Sequence, residues 1–218
     1  NQHLKESYPE FFRLRANSYA GVEYTTKPQS ALAVSGEERN AYYEALWELG
    51  GLQFWAGGYE DMPRDEAANR TAYDFWRDKV RARIKDPVIA EKLAPTDPPH
   101  PFGVKRPSLE QDYFDIFNEA HVKLVDIKES SIMRITARGV QTRDGEYEFD
   151  ILVMATGFDA VTGGLTNINI RGADSVTLRE KWANGVRTFQ GLANAGFPNL
   201  LVSYGPQAPT GFCNGPTS

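Results

Sequence analysis

Asp150-Ile-Leu-Val-Met-Ala-Thr-Gly-Phe-Asp-Ala160, followed by Thr162-Gly163, decides how the rest of the chain is read. Its first half, Ile151 to Ala155, is continuously apolar. That is the pattern of a strand covered on both faces, as in a parallel sheet flanked by helices. The run ends at Thr156-Gly157, and a glycine at a strand exit lets backbone approach a ligand with no Cβ in the way. Ligands of open α/β sheets sit beyond the carboxyl ends of the strands, so Thr156 and Gly157 stand where a nucleotide would be sought. A plain tight turn accounts for the same two residues, and periodicity alone favours it, because a lone glycine is a weak signal.

Outward from this run the grammar stays mixed. Leu200-Leu-Val202 is a second apolar run, ending soon after in Gly205-Pro206. Upstream, His121 to Asp126 alternates as a strand, and Ile132 to Thr136 reads as another. Asp144-Gly145 is a turn signal between Gly139–Thr142 and Glu146–Phe149, and the acidic stretch Asp144 to Asp150 reads as a solvated hairpin. Ser108 and Gln111 are spaced to cap a helix through Tyr113, Ile116 and Phe117.

Before the prolines at 95, 98, 99 and 101 the period changes to that of helices. Ser7-Tyr8-Pro9 opens one helix. Ser35 and Glu38 have capping-box spacing ahead of Tyr42, Tyr43, Leu46 and Trp47, and Gly50-Gly51 closes that helix. From Asp65 to Ile84 apolar residues recur at threes and fours, and Asp86-Pro87 caps a short helix to Leu93. The fold class is therefore α/β with small antiparallel additions and a helical insertion in front. Phe54, Trp55, Phe75 and Trp76 have the spacing of core residues rather than of a substrate cage.

Composition excludes several functions. The 218 residues carry 24 basic and 29 acidic side chains, a net charge of −5, which gives no overall reason to expect nucleic acid or an anionic membrane surface. No apolar run approaches the roughly 20 residues of a membrane span. The lone Cys213 excludes an internal disulfide, fits a reducing, cytoplasmic setting, and has no histidine close in sequence to activate it. His3, His100 and His121 lack ligand spacing, so no metal site is expected. No two glycines stand two apart, so no GxGxxG turn is present, and no glycine is followed by lysine, so no Walker-type GxxxxGK loop is present either. A start at Asn1 and a stop shortly after an apolar run read as a piece of something longer.

The wording of the opening stretch is more specific than its periodicity. It resembles the ATGFDA-TG segment of Baeyer–Villiger monooxygenases, flavoproteins with two dinucleotide-binding domains. Lys27-Pro-Gln-Ser-Ala-Leu32, Pro101-Phe-Gly-Val-Lys-Arg-Pro107, Asp112-Tyr-Phe-Asp-Ile-Phe-Asn118, Ile168-Asn-Ile-Arg-Gly172, Glu180-Lys-Trp182, Gly196-Phe-Pro-Asn199 and Gly205-Pro-Gln-Ala-Pro209 follow in the family's order. The resemblance implies a partial two-dinucleotide-binding-domain flavoprotein fold. Residues 1–100 would be the helical insertion, 101–160 the closing part of the NADPH domain and 161–218 part of the FAD domain. It implies FAD, NADPH and O2 as reactants with a ketone, and an ester or lactone as product.

By the same resemblance Arg106 is the active-site arginine, since a guanidinium stays protonated and offers planar donors to negative charge. Lys105 matches the position that contacts NADP phosphate. Thr156, Gly157, Asn214 and Gly215 are the other implied cofactor-binding residues, and Thr210, Gly211 and Phe212 the implied substrate pocket. Read without the family, Lys105-Arg106 is a solvated basic pair and the loop from Gly205 to Gly215 a surface turn. The family's Gly-rich cofactor turns and its carboxy-terminal portion have no counterpart here, so the 218 residues alone are expected to be inactive. An N- or S-oxidising flavin monooxygenase, or a non-catalytic helical interaction module on an α/β scaffold, are the alternatives.

Overall fold

The computed structural model describes residues 5–18, 21–22, 24–159 and 161–208. Two compact units form: Asn1–Glu23 with Met154–Ser218, and Tyr24–Val153. Compactness thus groups the helices of residues 24–100 with the segment 101–153.

Helix α1 (Tyr8–Ala16) belongs to the first unit and starts as the Ser7-Tyr8-Pro9 signal predicts, with proline in the first turn and no side-chain cap from Ser7. The second unit opens on Lys27, whose N–H donates to the Gly58 carbonyl at 2.9 Å while its own carbonyl accepts from Glu60 N. The Asp61 carboxylate then accepts from Ala31 N at 3.0 Å and fixes a 3-10 turn, Ala31–Ala33. Helix α2 (Gly36–Leu49) is capped by Ser35, whose Oγ accepts from Glu38 N at 3.1 Å, and stops at Gly50. The Glu38 carboxylate turns instead to Lys27 Nζ, 3.3 Å away. After the single turn α3 (Gln53–Ala56), helix α4 (Glu66–Arg81) is capped by Asp65 and buries Ala68, Asn69, Ala72, Tyr73 and Val80. Asp86 caps α5 (Pro87–Leu93), as Asp-Pro spacing predicts.

These helices close on an aromatic core. Tyr43 of α2 is fully buried, packs edge-on against Phe54 and Tyr59, and bonds its hydroxyl to Thr71 Oγ1 at 2.9 Å. Phe54 is buried, and Phe75 and Trp76 pack partly buried around the same cluster, as their spacing predicts. An ion pair between Lys79 and Glu44 ties α4 to α2 at the surface.

Three strands, β1 (Ile132–Ile135), β2 (Gly139–Thr142) and β3 (Glu146–Glu148), form an antiparallel meander where hairpin signals placed it. Buried Ser130 donates to Thr142 Oγ1 at 2.9 Å and locks the turn end. In the first unit α6 (Gly163–Thr166) and α7 (Leu178–Lys181) follow, the latter with a full Thr177–Glu180 capping box, around a small core of Leu178, Trp182 and Phe197.

Four expectations are corrected. Ile151 to Ala155 joins no ladder, and Ile151 and Val153 stand 80% and 79% exposed. An apolar run becomes a buried strand only where neighbours pair with it, and none does so among the described residues. His121 to Asp126 is likewise unpaired, with His121 exposed. Leu200–Val202 contributes only an isolated bridge, Ala193 to Leu201. The helix expected from Ser108 is a 3-10 turn at Asp115–Asn118, because the Gln111 carbonyl is taken by the Arg83 guanidinium instead of by a helical amide. Among the described residues no helix is long and apolar enough to cross a membrane.

Candidate functional site

The Lys105-Arg106 pair lies on a segment held at one end by Asn69 of α4 and at the other by Arg83, just beyond that helix. Phe102, buried at 8% exposure, packs its ring 5.4 Å from Phe54 and 6.3 Å from Trp76. Its peptide is gripped by Asn69: the Phe102 N–H donates to Asn69 Oδ1 at 2.7 Å, and Asn69 Nδ2 donates to the Phe102 carbonyl at 2.9 Å and to that of Met62 at 3.0 Å. The chain then turns through Gly103 at φ +86°, a left-handed conformation that a Cβ would strain. Trp55 Nε1 donates to the Gly103 carbonyl at 3.2 Å. The Arg106 guanidinium returns over the same indole, 5.7 Å from the ring centroid. Lys105 and Arg106 are both exposed.

The far end is fixed by Arg83, just beyond α4. It donates to Glu110 Oε1 at 2.6 Å, and to Asp115 and the Gln111 carbonyl, with its guanidinium 5.6 Å over Phe114. The hydrogen bonds to Glu110 and then Asp115 hold the Arg83 pKa above its ordinary value, so this anchor stays charged. A groove of about 830 Å³ opens beside the segment, lined by Trp47, Trp55, Phe102, Leu109 and Phe114, with Arg83 rather than Arg106 as its cation. The site is thus a Gly-Val-Lys-Arg sequence tied between Asn69 on α4 and Arg83 just beyond its end.

Thr156 and Gly157 lie in the other unit and are both exposed. Gly157 adopts φ +83°, and a Cβ built there meets nothing within 4 Å. The backbone conformation, not crowding, calls for glycine here. At Gly163 the reverse holds, since an added Cβ would fall 1.9 Å from the Asp159 carboxylate carbon. Thr210, Gly211, Phe212, Asn214 and Gly215, with Cys213, lie outside the described residues. Among the described residues, Pro206 and Gln207 are tied to Thr188, whose Oγ1 donates to the Pro206 carbonyl at 2.8 Å and whose N–H donates to Gln207 Oε1 at 2.7 Å.

Two contributors were not singled out by sequence reasoning. Asn69 sits between alanines on the buried face of α4, and a buried amide on an apolar face is the signal that could have found it. Trp55 was grouped with core aromatics, yet it is only partly buried and its polar edge serves Gly103.

No family model matches the chain. Over all 218 residues it is 51% identical to cyclopentanone 1,2-monooxygenase of Comamonas sp. (strain NCIMB 9872), spanning 40% of that protein. It is 39% identical over 216 residues to phenazine N-monooxygenase PhzNO1 of Lysobacter antibioticus, covering 98% of the chain and 39% of the relative. Among solved structures, OTEMO in complex with FAD and NADP superposes with a TM-score of 0.92 at 40% identity, covering 97% of this chain and 40% of that one. The fold is accordingly that of a partial two-cofactor flavoprotein. The chain spans about 40% of the length of these relatives.

Proposed function

We propose, from the premise that this chain belongs to the Baeyer–Villiger monooxygenases, that it forms the arginine-bearing part of an enzyme oxidising ketones to esters or lactones. In that reaction one atom of O2 enters between the carbonyl carbon and its neighbour. The other leaves as water, and NADPH is oxidised to NADP+.

The observation that carries the reading is the Lys105-Arg106 pair on a segment clamped at Phe102 and at Glu110. The donor set fits the two cofactors. Lys105 offers an exposed ammonium suited to a phosphate, and Gly157 offers open backbone with no Cβ, beside the Thr156 hydroxyl. Asn214 and Gly215 are assigned to the flavin side and Thr210, Gly211 and Phe212 to the ketone pocket. In this assignment residues 1–100 are the helical insertion, 101–160 the closing part of the NADPH domain and 161–218 part of the FAD domain. The exposed run Ile151–Met154 is an inner strand whose ladder partners come from the remaining length of the enzyme.

Bound FAD and NADPH supply oxygen activation and reducing equivalents. Arg106 supplies a permanent positive charge and planar donors to the charge that develops on the attacked carbonyl oxygen, and it needs no proton transfer to do so. Its value depends on being placed before the reaction starts, which is what the indole face and the two anchors provide. Lys105 acts as a point charge and orients rather than reacts. These 218 residues alone are inactive on this reading, and the enzyme is cytoplasmic.

The phenazine N-monooxygenase relative supports oxidation of a ring nitrogen as a second reading. Supplying the full-length enzyme with NADPH, 18O2 and either cyclopentanone or phenazine separates the two. One labelled oxygen in the lactone is expected; label only in an N-oxide would replace ketone oxidation by the second reading.

A further inference from the structure

We propose that Asn69, together with Trp55, is the positioning device of Arg106; this rests on the catalytic reading of Arg106 given above. Asn69 is 7% exposed and belongs to the buried face of α4, where its neighbours Ala68 and Ala72 are fully buried. A position there that served packing alone would be apolar, because an amide must recover its lost hydration. Asn69 directs two of its three bonds to the main chain of one residue 33 positions away, accepting from Phe102 N and donating to Phe102 O, with Met62 O as the third partner. One backbone donor and two backbone acceptors fix which end of the amide points where, so the side chain has a single orientation.

Holding both main-chain polar groups of Phe102, one on each side of its Cα, fixes the direction in which the chain leaves the core. Gly103 converts that direction into a turn at φ +86°, and the Trp55 indole pins the Gly103 carbonyl. Arg106 is three residues further and lies over that same indole. Neither Asn69 nor Trp55 reaches the reacting groups in this account; both act through the path of residues 102–106.

The test uses Asn69→Asp in the full-length enzyme. Aspartate keeps the volume and still accepts from Phe102 N, but it sets an anionic oxygen against the Phe102 and Met62 carbonyls in place of the amide donor. Hydrogen exchange of the enzyme without its cofactors should show faster exchange of amides 102–106 and unchanged protection in α2. Loss of protection in both would mean general loosening and would overturn the proposal. With flavin bound, ester formed per NADPH consumed should fall on the order of tenfold to a hundredfold, the range expected when a catalytic group is misplaced by about an ångström.

The factor should shrink sharply when Asn69→Asp is made in an Arg106→Lys background, since there the positioned guanidinium is already gone. An equal factor in both backgrounds would show damage unrelated to Arg106 and overturn the proposal. If Asn69→Asp does not accumulate as folded enzyme, Trp55→Phe decides. It keeps a ring under Arg106 but removes the donor to Gly103, and should lower ester yield with the same dependence on Arg106. An unchanged yield would overturn the proposal. Full ester formation by Arg106→Ala would instead remove the functional reading itself, and the positioning role with it.

Discussion

Gly103→Ala probes the turn that leads to Arg106. The residue sits at φ +86°, where a side chain with Cβ loses about 1–2 kcal/mol relative to glycine. The new methyl would lie 2.8 Å from Trp55 Nε1 and 3.1 Å from Cδ1, closer than packed atoms tolerate. The indole must move, and its 3.2 Å bond to the Gly103 carbonyl goes with it, a further loss of about 0.5–1.5 kcal/mol. The expected cost is about 1.5–3.5 kcal/mol, or roughly 3–14 °C in melting temperature for a protein of this size. Urea unfolding followed by far-ultraviolet circular dichroism measures it for Gly103→Ala, Trp55→Ala and the double variant. With the indole removed, the cost of Gly103→Ala should fall to the backbone part, leaving a coupling of about 1 kcal/mol between the two sites. An unchanged midpoint in Gly103→Ala would refute the left-handed turn. Equal costs in the two backgrounds would refute the contact with Trp55.

Two further outcomes are expected. The 218 residues alone should not retain FAD, because no two glycines stand two apart and so no Gly-rich turn is available to cradle a pyrophosphate; stoichiometric yellow flavin after gel filtration would contradict this. Glu91, hydrogen-bonded first by Arg81 and then by the amide and hydroxyl of Thr96, is held down to about 2 from an ordinary 4.5. A carboxylate depressed in the folded state stabilises fully above its unfolded pKa and loses that contribution as pH falls toward the folded value. The melting-temperature advantage over Glu91→Gln should therefore shrink between about pH 5 and pH 2, and a constant advantage across that window would speak against the pairing.

Local signals were legible where the physics is local. Caps at Ser35 and Asp86 and the hairpin at Asp144-Gly145 act within a few residues of themselves, and each lies where the sequence places it. Ile151–Ala155 and His121–Asp126 depend on pairing with other strands, which no local pattern supplies. The 108–117 helix gave way to a single distant cation, Arg83, which competes for the Gln111 carbonyl. Lys105 and Arg106 stand out only through the resemblance to the family, since charge and spacing alone describe a solvated pair. Asn69 and Trp55 escaped because their partners, Phe102 and Gly103, lie 33 and 48 residues away. A bond of that separation leaves no trace in periodicity.

Arg106→Ala in the full-length enzyme decides whether Arg106 is the proposed charge-stabilising group of a ketone-oxidising flavoenzyme. Ester or lactone formation should fall by on the order of a hundredfold or more, while FAD stays bound and NADPH still reduces it, and Arg106→Lys should recover little because a point charge lacks the planar fork. Near-normal lactone yield from flavin-loaded Arg106→Ala would contradict the account.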